Sequence, residues 1–97
     1  MEYQLRVYRL RPGALDDFVR EWKADVLPLR ERFGFTVVGA WAERQAGRFV
    51  WILAYGGPEG FERRDSAYYA SPERASLDPD PARHIEAVDA FLMRSVL

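Results

Sequence analysis

FTVVGAWAERQAGRFVWILAY, residues 35–55, reads as two strands joined at Gln45-Ala46-Gly47-Arg48, yet it hardly alternates. Successive side chains on a strand point to opposite faces, so a sheet with one wet face alternates apolar and polar residues. Here Phe35, Val37 and Trp41 share one parity with Gly39, and Val38, Ala40 and Ala42 share the other. Phe49, Trp51, Leu53 and Tyr55 likewise oppose Val50, Ile52 and Ala54. Both faces are dry, and each needs a cover. Pairing Arg44 with Phe49 would set Ala42 beside Trp51 and Ala40 beside Leu53, large against small.

Upstream, residues 2–10 predict a strand with Tyr3, Leu5 and Val7 on one face and Gln4, Arg6 and Tyr8 on the other. Pro12-Gly13 ends it. An amphipathic helix from about Ala14 to Phe33 follows, with Leu15, Phe18, Val19, Trp22, Val26, Leu29 and Phe33 in one stripe. Asp16 and Asp17 near its start and Arg30 and Arg32 near its end suit the helix dipole. Gly34 suits a left-handed stop. Pro28 inside the stripe predicts a kink, because proline removes a backbone bond and clashes with the preceding turn.

Downstream of the hairpin, Gly56-Gly57-Pro58-Glu59 opens a second helix on which Phe61, Asp65 and Tyr68 follow one face. Ser71-Pro72-Glu73 caps a further helical turn, and Asp78-Pro79-Asp80-Pro81 ends it. The last segment fits two periods: Ile85, Val88, Leu92 and Val96 are spaced for a helix, while Ile85, Ala87, Phe91 and Met93 fit a strand face. The order of elements favours the strand, which completes a split βαβ. The expected fold is α+β, a ferredoxin-like βαββαβ arrangement with a four-stranded antiparallel sheet in a single domain, residues 1–97. Both helices then cover one sheet face. A second copy of the same sheet is the simplest cover for the other, through a two-fold interface.

Composition narrows the function. Fourteen basic and 15 acidic residues give a net charge of −1, with no basic stripe for phosphates, so nucleic acid is not an expected partner. There is no cysteine, hence no disulfide, thiolate metal site or cysteine nucleophile. No stretch approaches a membrane span, and a cytoplasmic location is expected. Gly56-Gly57-Pro58-Glu59-Gly60 lacks the order and the lysine of a phosphate loop.

The pieces YQLRVYRLRPGALDDFVREW, VLPLRERFGFTVVGAW, RFVWILAYGGPEGFE and AYYASPE, in that order, span nearly the whole chain. Together they resemble the NIPSNAP family of dimeric α+β barrel proteins. The resemblance implies a ferredoxin-like protomer whose sheet pairs with a second sheet into a barrel, and a bacterial protein of undefined activity. Gln4 stands where the family usually carries a glutamate before the Leu-Arg pair. Related barrels include cofactor-independent monooxygenases, isomerases and haem-binding proteins, but kinship of fold transfers no activity.

Several side chains are candidates for a ligand site, each with a structural reading beside it. Arg6 and Tyr8 share a face of a central strand, where Arg6 must be paired or reach a cavity. It is either the anion anchor of a pocket, with Tyr8 as phenolic donor, or the partner of Glu43, Glu86 or Asp89. Trp22, Trp41, Trp51, Tyr55, Tyr68 and Tyr69 either line an aromatic pocket between helices and sheet or belong to an ordinary core. His84, the one histidine, is a possible base or axial haem ligand, or a strand-start residue. No metal or cofactor is expected. The reading is a homodimer binding a small, flat, apolar or aromatic acidic ligand. The alternatives are a cofactor-independent monooxygenase or isomerase, and a non-catalytic protein-interaction dimer.

Overall fold

β1 (Glu2–Leu10) runs through the middle of the sheet, paired antiparallel with β3 (Arg48–Tyr55) on one side and β4 (Ile85–Met93) on the other. β2 (Thr36–Glu43) pairs with β3, giving the order β2-β3-β1-β4. The structure is a computed structural model that describes all 97 residues. The helical elements are α1 (Leu15–Glu21), α2 (Leu27–Arg32), α3 (Phe61–Ala70) and α4 (Pro72–Ala75), with a short 3-10 turn at Pro81–His84. This is the ferredoxin-like βαββαβ fold. Strand periodicity prevails in the last segment because Ile85–Met93 supplies the second partner that central β1 needs. No helix is long and apolar enough to cross a membrane.

The core lies between the sheet and the helices. Phe18, Trp22 and Leu29 from the first helical run meet Tyr8, Phe49, Trp51 and Leu53 from the sheet, all at most 5% exposed. Burying each large apolar side chain stabilises the fold by about 1.5–3 kcal/mol. The rings interlock edge to face: Phe18 lies 5.1 Å from Phe49 and Trp22 5.2 Å from Trp51, at 68° and 86°.

The kink expected at Pro28 takes a specific form. Between α1 and α2 the backbone widens into a π turn, Trp22–Val26, in which the Leu27 N–H reaches back to the Trp22 carbonyl. The proline ring would clash with the carbonyl four residues earlier, and widening the turn just before it makes room. Trp22 and Val26, the first and last residues of that turn, are both buried.

Three local expectations are corrected. The hairpin pairs Glu43 with Arg48, Ala42 with Phe49 and Ala40 with Trp51, so the register differs from the one that large-against-small matching suggests. The closing contacts are polar: Glu43 accepts from the Ala46 N–H and pairs with Arg48 at 3.1 Å. A bulge between Val37 and Gly39 then breaks the parity of β2, so Val37 stands opposite Leu53 but Trp41 stands opposite Val50. The second long helix begins at Phe61 rather than at Pro58. Gly60 turns the chain at φ +86°, a left-handed value that glycine tolerates. Glu2 of β1 then accepts the Phe61 N–H at 2.9 Å.

The sheet face away from the helices carries Leu5, Val7, Val50 and Ile52, all half-buried, with Trp41 and Phe91 each 54% exposed. No element of the chain packs over it.

Candidate functional site

Between the first helical run, α3–α4 and the β1–β4 half of the sheet lies a cavity of about 340 Å³. It exists because the helices lean over β3 and β1 and leave the helix-side face of β4 uncovered. Val88, opposite Tyr8 in the register, is 51% exposed at its rim. The walls are mostly aromatic and aliphatic: Tyr8, Trp22, Val26, Trp51, Tyr68 and Ile85 are among them. The π turn sets two of these, Trp22 and Val26, on the wall.

The inner end of the cavity is charged. Arg6 projects from β1 and is 5% exposed; Arg30 projects from α2 and is fully buried. Both reach Asp65 on α3. Arg6 Nη2 donates to both carboxylate oxygens at 3.0 Å, and Arg30 Nη1 donates to Oδ1 at 2.7 Å. Tyr69, the residue after Tyr68, accepts from Arg6 Nη1 at 2.7 Å and from Arg30 Nη2 at 3.2 Å. Two guanidiniums thus share one carboxylate, and the cluster carries an excess of one positive charge. At the rim, exposed Glu86 turns to Arg9 at 3.7 Å.

The partner of Arg6 is therefore Asp65, and not Glu43, Glu86 or Asp89. Arg6 also donates from Nε to Gln4 at 2.6 Å and from Nη1 to Tyr8 at 3.3 Å. A guanidinium has five N–H groups, and here every nitrogen donates to protein, with Nη2 facing both oxygens of the one carboxylate. Arg30 is held differently. Its guanidinium lies 3.8 Å from the centre of the Tyr68 ring and 4.8 Å from that of Phe35, a cation between aromatic faces.

Four buried polar atoms have no hydrogen-bond partner: Trp22 Nε1, Trp51 Nε1, Tyr68 Oη and Arg30 Nε. All four belong to residues of the cavity wall. The two indoles meet edge to face. Burial raises the Tyr8 phenol above its ordinary range against the opposing pull of Arg6. Burial raises Tyr68 likewise, against Arg30 and Arg74. Both stay protonated at neutral pH and act as hydroxyls rather than phenolates.

Of the residues singled out from sequence, Arg6, Tyr8, Trp22, Trp51, Tyr68 and Tyr69 meet at this cavity. Trp41 does not: the bulge in β2 turns it to the open sheet face. Tyr55 packs on Phe35 and donates to Glu59 at 2.6 Å beside a separate, polar depression. His84 bonds Glu21 at 3.0 Å and meets Phe18 edge to face, while Arg83 clamps the same glutamate at 2.7 and 2.8 Å. The sequence reading missed Arg30, Asp65 and Arg74 as site residues. Asp65 carried a signal, because an acid in line with Phe61 and Tyr68 on one helix face needs a buried cation.

The family model described as NIPSNAP matches residues 3–96. An uncharacterised NIPSNAP domain protein from Burkholderia xenovorans superposes with a TM-score of 0.84 at 16% identity, covering 99% of this chain and 95% of that one. A NIPSNAP family protein of unknown function from Agrobacterium tumefaciens gives 0.82 at 23% identity, covering 96% and 86%. A putative antibiotic biosynthesis monooxygenase from Nitrosomonas europaea gives 0.72 at 11% identity, covering 100% of both chains. At these identities the superpositions speak for the fold alone. No curated protein matches the chain.

Proposed function

This chain belongs to the NIPSNAP family, and from that premise we propose that it is a homodimeric binder of a small, flat, aromatic acid. The observation that carries the reading is the pair of buried guanidiniums sharing one carboxylate at the end of an aromatic cavity. An excess buried charge is costly unless something balances it. A ligand that brings one negative charge and a planar apolar body answers both the charge and the walls. The volume suits a two-ring acid.

The open sheet face supports the homodimer. Six large apolar side chains, Leu5, Val7, Trp41, Val50, Ile52 and Phe91, stand on a surface that the chain itself does not cover. A contiguous exposed apolar patch of this kind marks an interaction site. A second copy is the occupant that brings a matching apolar sheet, joined by a two-fold axis.

A screen by thermal shift and calorimetry tests the ligand. 2-Naphthoate should stabilise the protein, and 2-naphthalenemethanol, the same body without the charge, should bind at least tenfold more weakly. Val88→Trp, which fills the rim without entering the core, should abolish naphthoate binding. Equal affinity for acid and alcohol, or undiminished binding to Val88→Trp, would overturn the reading.

A further inference from the structure

The cavity holds a third cation. Arg74, from α4, lies on its wall with its side chain 12% exposed, and its guanidinium stands 5.8 Å from the Tyr69 ring centre. Ser71 sets its place: the Ser71 hydroxyl accepts the Arg74 N–H at 3.1 Å and so caps α4. The side chain makes one hydrogen bond, from Nη2 to Asp80 at 2.9 Å. Five N–H groups less one bond leave four uncommitted. All three nitrogens of Arg6 are engaged by the protein, and Arg30, though its Nε is unpartnered, lies fully buried against Tyr68 and Phe35. Arg74 is the least buried of the three, its side chain 12% exposed against 7% and 1%, and has the most donors to spare.

Tyr69 adds a second free donor. Its oxygen receives N–H groups from both Arg6 and Arg30, and its own O–H donates to no protein group. With the oxygen so occupied, the hydroxyl can offer a facing molecule only a proton. The residue is 47% exposed and borders the cavity. A facing ligand atom must therefore be an acceptor.

Resting on the aromatic-acid reading above, we propose that the ligand's oxyanion is read by Arg74 and the Tyr69 hydroxyl, and that Arg6 and Arg30 act through Tyr69 without touching it. Asp80 is the resident competitor. Its side chain is 52% exposed, so it returns to water at little cost when a bound carboxylate or enolate takes its place on Arg74. The Ala82 N–H donates to the same oxygen, Oδ1, so Asp80 keeps its place on the loop and Arg74 turns from it to the ligand. The ligand class narrows to planar carboxylates, enolates or phenolates whose charged oxygen sits at the edge of the ring system.

Titration of 2-naphthoate into folded wild-type protein and four variants decides the matter, with circular dichroism as the check on folding. Arg74→Gln and Tyr69→Phe should each weaken binding tenfold or more. Asp80→Asn, which keeps the Ala82 bond and removes the competing charge, should tighten it severalfold. Arg6→Met should weaken it less than Arg74→Gln does. Unchanged affinity in Arg74→Gln and Tyr69→Phe, or a greater loss in Arg6→Met than in Arg74→Gln, would overturn this assignment while leaving the aromatic-acid reading in place. Failure of wild-type protein to bind any aromatic acid would overturn both.

Discussion

Arg30 donates from Nη1 to Asp65 over 2.7 Å, and this bond ties the last turn of α2 to the middle of α3. Because Asp65 also holds Arg6, one carboxylate joins both helices to the central strand. Removing the shared acid leaves two buried cations facing each other, whereas removing one cation leaves the acid paired. Asp65→Asn should therefore cost about 3 kcal/mol, the lower end for breaking a buried pair, since Asp65 keeps some contact with water. Arg30→Met keeps volume and removes the excess charge, so it should cost distinctly less. Urea denaturation with unchanged m-values measures both. A larger loss for Arg30→Met would contradict the shared-acid account.

Ile52 marks the centre of the open sheet face, opposite Leu5 on β1 and Gly39 on β2. A lysine there places a charge where a second sheet would close. Ile52→Lys should run as a monomer in sedimentation velocity, or aggregate, while wild type sediments as a dimer. Val38→Lys, at the bulge near the sheet edge, should do less. Wild-type protein that stays monomeric at micromolar concentration would rule out the homodimer.

Acid should loosen the ends of the helices first. The Phe61 N–H holds the Glu2 carboxyl below its ordinary range, helped by Arg94. Asp80 is also held low: burial opposes this, but the Ala82 N–H and Arg74 outweigh it. A carboxylate whose folded pKa is depressed stabilises the fold above its unfolded pKa, and that stability is lost as pH falls through the folded one. With unfolded values near pH 4, stability should be flat above about pH 5 and decline below about pH 4. Glu2→Gln and Asp80→Asn should each flatten that decline in thermal melts. A wild-type profile unaffected by either variant would show that these two carboxylates do not set the acid limb.

Much of this architecture was legible because it follows simple periods. The stripe from Leu15 to Leu29 and the alternation of Arg6 and Tyr8 against Leu5 and Val7 placed the helical run and the central strand correctly. The dry hairpin correctly announced a sheet with an apolar second face. What escaped involves departures from period. One extra residue at Val38 moved Trp41 to the other face, and its mark, the isolated Gly39 inside the strand, fits the dry parity equally well. Arg30 read as a dipole charge because its position near a helix end explained it sufficiently. Arg74 follows an ordinary serine-proline cap, and only the approach of α4 to Tyr69 in space gives it a cavity to face.

The π turn has a consequence for helix phase. Each α residue advances about 100° around the axis, which in an unbroken helix would set Arg30 about 70° from the centre of the Leu15–Leu29 stripe, on the flank. A π turn spends one extra residue per turn, so everything after it lags by about one residue. That lag re-clocks α2 against α1; Leu29 and Arg30 are both buried there, and Arg30 meets Asp65. The charge at the end of the cavity thus depends on an angular offset between two half-helices. A one-residue insertion or deletion within 22–26 would re-clock α2 against α1 and change the electrostatics of the site with no substitution at any residue that lines it.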